Sequence, residues 1–181
     1  MSFRRLSSRL VPGANPCKQA VLGLAVLLAT GCGGGGGATR ERLIRGNGYS
    51  FAAPVDWTVA RHGSELRVSK GIALVSVERF PLQRRYRPEL WIRVVPELDR
   101  AAEALAGQQG GTVSDPRTVT IAGRRARRYD VEYRHEGKQL VERIGFVLLG
   151  KTEYLLLCRY ESGGDTGACD RLLTSFRLAA A

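Results

Sequence analysis

Histidine is nearly missing from this sequence. Two residues, His62 and His135, are all that 181 positions hold. They stand far apart, with no HExxH pair and no other metal-ligand spacing, so a histidine-based metal centre is not indicated. A Gly-x-Ser-x-Gly elbow is also absent, which removes the signature of the common serine hydrolases. No glycine-rich loop follows a strand and opens a helix. Gly33 to Gly37 trails an apolar segment and Gly46-Asn47-Gly48 opens no helix, so no phosphate-cradling loop is encoded. Long apolar runs are lacking too. The best, Ala20 to Ala29, has about half of the roughly 20 residues a membrane-spanning helix needs.

What is present begins with that short run. Arg4, Arg5, Arg9 and Lys18 precede it with no acidic residue among them, and small residues follow it. A basic region, a short apolar core and small residues, in that order, are an export signal. The stretch Leu28-Ala29-Thr30-Gly31-Cys32 then ends the apolar segment and opens a glycine tract. In these residues the chain resembles bacterial lipoproteins, whose lipobox sets small or apolar residues before Gly/Ala-Cys. The resemblance implies that residues 1–31 are removed, that Cys32 is diacylated through its sulfur and becomes the mature N-terminus, and that the protein is held on the extracytoplasmic face of the cell membrane. Read without it, the same residues suit a plain secretory signal with Cys32 a spare thiol. Arg4-Arg5 also permits a twin-arginine export route. Cys17 leaves with the signal.

Residues 32–45 are expected to be a Gly-rich tether, because glycine loses more entropy on ordering than any other residue. The whole chain has a formal charge of +11. Without residues 1–31 it stays basic. Only Lys70, Lys138 and Lys151 are lysines there, so arginine carries nearly all the positive charge, which fits a GC-rich genome as well as it fits an anionic ligand. A chain of this length is one domain, expected over residues 46–179.

The domain's first segment, Tyr49-Ser50-Phe51 through Pro54 to Trp57, reads as a short strand closed by a turn. Leu66 and Val68, then Ala73, Val75 and Val77, alternate with polar neighbours as half-buried strands do. Pro88 and Pro96 each suit the first turn of a helix. Leu98, Ala101, Ala102 and Leu105 follow at helical spacing, and Gly107 with Gly110-Gly111 ends the helix. Ala126 to His135 alternates as a strand with Tyr129, Val131 and Tyr133 on one face. Glu136-Gly137-Lys138 turns into a second strand, and Gly150-Lys151 into a third, Thr152 to Tyr160. A last helix spans about Thr166 to Phe176, with Cys169, Leu172, Leu173 and Phe176 in its apolar stripe.

Cys158 shares a strand face with Tyr154 and Leu156. A helix folded back over that strand would bring Cys169 to it, which predicts a Cys158–Cys169 disulfide, the other reading being two buried thiols. The order of elements, with Tyr49-Ser50-Phe51, Pro54 and Trp57 at the start and Ser175-Phe176-Arg177-Leu178 at the end, resembles the PsbP-like fold and the actinobacterial lipoproteins of the LpqN type. The resemblance implies an α+β domain: a central antiparallel β-sheet with helices packed on both faces, an α/β/α sandwich. It brings no active site with it.

Function is therefore narrowed rather than named. The expectation is an envelope lipoprotein acting as a binding or assembly-accessory module, not an enzyme, with no cofactor and no metal. Its partners would be the lipid bilayer, through acylated Cys32, and an envelope protein, with nucleic acid excluded by location. Arg124, Arg125, Arg127 and Arg128, with Arg84, Arg85 and Arg87, would make a patch for an anionic surface, or else a solvated face paired with Asp130, Glu132 and Glu136. Trp57, Trp91, Tyr129 and Tyr133 are candidates to line a groove, or simply core. A membrane-associated enzyme of unrecognised type and a small-molecule or lipid carrier are the alternatives.

Overall fold

The computed structural model describes residues 40–179. The signal segment 1–31, Cys17, Cys32 and most of the tether lie outside the described residues. Ten strands and two α-helices follow in the order β1 (Glu41–Gly46), β2 (Tyr49–Pro54), β3 (Thr58–His62), β4 (Glu65–Lys70), β5 (Ala73–Pro81), α1 (Trp91–Gln108), β6 (Thr112–Ile121), β7 (Arg124–His135), β8 (Lys138–Leu149), β9 (Thr152–Glu161), α2 (Gly167–Ser175) and β10 (Arg177–Leu178), with one 3-10 turn at Pro88–Leu90 before α1. β3, β4, β5, β9, β8, β7 and β6 pair in that order into one antiparallel sheet, while β1, β2 and β10 form a second, small one.

The expected α/β/α sandwich is corrected by this arrangement. The protein is mostly β, built of two sheets, and its two helices do not form layers on both faces of a central sheet. α1 lies mainly over β6 and β7. On the opposite face the nine-residue α2 shares the cover with the small sheet. The physical reason lies in two segments. Arg42-Leu43-Ile44-Arg45 read as tether, yet it pairs along its length with β2, Ile44 being buried opposite Phe51. Thr112–Ile121, whose Pro116 hides its alternation, pairs with β7 around a bulge between Ser114 and Arg117, where Asp115 takes a positive φ.

Two cores result, one on each face of the large sheet. Strand alternation assigns the residues: Tyr154, Leu156 and Cys158 face one way along β9 and Leu155 the other. In the first core Tyr49, Tyr154 and Phe176 meet with ring centroids 5.8–5.9 Å apart. The buried Tyr49 hydroxyl donates to the Val77 carbonyl at 3.1 Å, which removes the cost of burying it. In the second core Trp91, Leu98, Ala102 and Ala106 of α1 cover Tyr129, Val131 and Tyr133 of β7. Pro96 sits inside α1 rather than opening a second helix, so Trp91–Gln108 is one helix that gives up a backbone donor near its start.

Cys158 and Cys169 are joined by a disulfide, with Cα atoms 5.4 Å apart. It pins α2 onto β9 through two buried sulfurs.

Candidate functional site

β6 and β7 join through a tight turn in which Ala122 and Gly123 both take positive φ. This hairpin tip, the β8–β9 turn at Gly150, and the loop that leaves β5 at Pro81 lie at one end of the large sheet. The loop is tied there by backbone bonds from the Leu82 amide to the Lys151 carbonyl, at 2.9 Å, and from the Tyr86 amide to the Gly150 carbonyl, at 2.7 Å. Between loop and hairpin runs an open cleft of about 700 Å³, lined by Tyr86 and Pro88 on one side and by Thr118, Thr120, Arg124 and Arg125 on the other, with Leu148 at its floor. β-pairing sets Thr120 opposite Arg125 and Thr118 opposite Arg127, so the two threonines share the α1 face of the sheet with Arg125 and Arg127, while Arg124 starts β7 on the other face.

The four arginines expected to make one patch are divided by the two-residue period of β7. Arg125 and Arg127 share the face of Tyr129, and Arg124 and Arg128 share that of Ala126. Arg127 is half-buried and donates to Asp99 of α1 at 3.0 Å. Arg128 donates to Asp115 at 2.6 Å and lines a second open cleft, of about 590 Å³, with Leu173, Thr174 and Arg177. Asp115, which also accepts from Arg117, is held below the usual carboxylate range, chiefly by that Arg117 bond. Arg124 and Arg125 are exposed, and no carboxylate lies within ion-pair distance of either among the described residues. Arg125 stands instead over the Trp91 ring, 5.8 Å from its centroid.

The candidate aromatic groove does not form. Trp91, Tyr129 and Tyr133 are core residues, Trp57 packs at the edge of the other core, and none of the four lines either cleft. The aromatic that does, Tyr86, escaped sequence reasoning because it interrupts a run of arginines. Its position two residues before Pro88, in a loop too polar for sheet, was the available signal.

Two polar clusters lie where α1 meets the sheet, one part-exposed around Asp99 and one around the buried Glu142. Tyr129 donates to Asp99 at 2.5 Å beside Arg127, and burial pushes its phenol well above the ordinary range. Glu142 is almost wholly buried and accepts from Tyr133 at 2.8 Å and from Gln109 at 2.7 Å, with the Arg159 guanidinium 3.7 Å away. Burial raises the Tyr133 phenol to about 12. Both clusters are closed by their own members. Glu153, between Leu148 and Phe80 in the pairing, is different. Burial raises its carboxyl, with no partner opposing the shift. Among the described residues no group of histidine, cysteine and carboxylate side chains has metal-site geometry. His62 and His135 are both exposed.

No protein-family model matches the chain, and no curated protein sequence is significantly similar to it. Solved structures do share its fold. A protein of Bacteroides thetaiotaomicron superposes with a TM-score of 0.54 at 12% identity over 74% of this chain. The match spans 46% of that protein's length, so it is a fold likeness to part of a larger chain. LpqN of Mycobacterium tuberculosis, involved in cell envelope biogenesis, gives a TM-score of 0.46 at 10% identity, covering 78% of this chain and 91% of its own. At that level the second likeness carries no inference about what this chain does.

Proposed function

We propose that the chain is an envelope lipoprotein anchored in the cell membrane through acylated Cys32, working outside the cytoplasm as a binding or assembly-accessory module. The observation that supports it best is the buried Cys158–Cys169 bond in a domain that follows an export-type segment. Such bonds persist in oxidising compartments and are rare in the cytosol. The shape of the surface supports binding over catalysis. The clusters around Asp99 and Glu142 are internally satisfied, and the two clefts are open, the first of them basic, rather than enclosed around converging acid and base groups. An open polar cleft also suits a surface ligand better than a lipid carrier, which needs an enclosed apolar cavity.

The test is metabolic labelling with an alkyne fatty acid in a bacterial host, followed by protease treatment of intact spheroplasts. Label on the wild type but not on Cys32→Ala, with digestion from outside, is the expected result. An unlabelled chain protected inside the cell would remove the reading.

A further inference from the structure

The cleft beside the β6–β7 tip brings together two arginines without acidic partners and three hydroxyls, of which Thr118 also accepts from Arg127 at 3.4 Å. Arg124 and Arg125 have no acidic partner within ion-pair distance among the described residues, although Asp99, Asp115, Asp130 and Glu142 each hold another arginine nearby in the same sheet. Arg125 is nevertheless placed: its guanidinium rests over Trp91, a core residue, so part of the entropy a free arginine loses on binding is already spent. Tyr86 hangs over the same space. Its phenol is raised, chiefly by burial, and it lines the cleft together with Arg124 and Arg125. The Thr118 and Thr120 hydroxyls complete the wall.

We propose that this cleft is a binding site for a small phosphate-bearing ligand, held by Arg124 and Arg125 with hydroxyl donors from Tyr86, Thr118 and Thr120. The assignment rests on the binding-module reading above and gives that module a ligand class. Phosphate is the anion that matches the donor set. Two guanidiniums offer forked N–H pairs, and three hydroxyls add single donors, more than one carboxylate can accept and close to what the terminal oxygens of a phosphate group can. The cleft, at about 700 Å³, is in the size range of small-molecule sites. Arg84, Arg85 and Arg87, exposed on the overlying loop, add a positive field that raises the local anion concentration.

The cleft and the start of the described chain lie at opposite ends of the large sheet. The described chain begins at Arg40, whose carbonyl accepts from the Val55 amide, next to the Asp56–Lys70 pair and the β4–β5 turn. Those features stand at the end of the large sheet opposite Gly123 and Gly150. A soluble or polymer-borne phosphate of the envelope is the source the proposal takes, and a bilayer headgroup is the outcome that would overturn it.

The experiment is calorimetric titration of the full chain in nonionic detergent with sn-glycerol 3-phosphate and with inorganic phosphate, beside flotation with phosphatidylglycerol and phosphatidylcholine vesicles. Saturable binding of a soluble probe is expected, weakened at least about tenfold in R124A/R125A through loss of charge-assisted bonds. R124K/R125K should lose less, and R134A, on the exposed far end of the same strand, should lose nothing. The melting temperature of each variant checks that it folds. Binding that R124A/R125A leaves intact, or no binding of either soluble probe, overturns the assignment. So does arginine-dependent binding confined to phosphatidylglycerol vesicles, which would make the cleft a headgroup site. None of these failures alters the Cys32 labelling result, so the ligand and the anchored module fail separately.

Discussion

Replacing both bridged cysteines, C158A/C169A, should cost this domain a large part of its stability, and the structure sets the size. The bond joins residues 11 apart in sequence, closing a loop from the end of β9 to the first turn of α2. In the chain-entropy account a loop of that length restricts the unfolded chain by about 3 kcal/mol. Both side chains are buried, Cys158 between Val75 of β5 and Arg143 of β8 in the pairing, so losing two sulfurs adds about 1 kcal/mol of lost packing. For a domain of this size each kcal/mol moves the midpoint by about 3 °C, giving a fall of about 12 °C. Scanning calorimetry of wild type, reduced wild type and C158A/C169A reads it. Reduction alone should produce most of the drop, because the loop is released while the sulfurs remain. A fall of less than about 3 °C in both would refute the claim that α2 is held onto the sheet covalently rather than by Leu172 and Phe176 alone.

Two further expectations follow from Glu142 and Glu153. Glu142→Ala should destabilise by about 3–5 kcal/mol, since it leaves the Gln109 amide and the Tyr133 hydroxyl without their acceptor and Arg159 without its countercharge, whereas Tyr133→Phe should cost only about 1 kcal/mol; chemical denaturation of both compares them. Glu153→Gln should stabilise at neutral pH. The folded-state pKa of Glu153 is raised above its ordinary 4.5 by burial, so wild-type stability falls as pH rises from there through the raised value, and the gain from glutamine should vanish below about pH 4. Melting both proteins between acid and neutral pH checks the sign; a gain independent of pH would contradict it.

How much of this was legible depended on period and on partners. β7, β8 and β9 could be read because their apolar residues alternate and their turns carry Glu136-Gly137 and Gly150 at positive φ. The Cys158–Cys169 pairing followed from one strand face and one helix stripe. β1 was hidden because Glu41–Gly46 has one buried residue, Ile44, and its place is set by pairing with β2 rather than by its own pattern. β6 was hidden by Pro116 and by the bulge that reverses its alternation. Those two strands decided between a helical layer and a mainly β protein. The arginine patch was legible as composition but not as place. Alternation alone separates Arg124 from Arg125, and only the packing of the Leu82–Pro88 loop shows that both reach one cleft while Arg127 and Arg128 are engaged elsewhere.

The most direct measurement is the intact mass of the protein recovered from bacterial membranes, for wild type and Cys32→Ala, with thiols alkylated before and after reduction. The account predicts a wild-type chain that starts at Cys32 and carries the mass of a diacylglycerol, with two further alkylation sites appearing only on reduction. A soluble chain without lipid, or Cys158 and Cys169 alkylated without reductant, would contradict it.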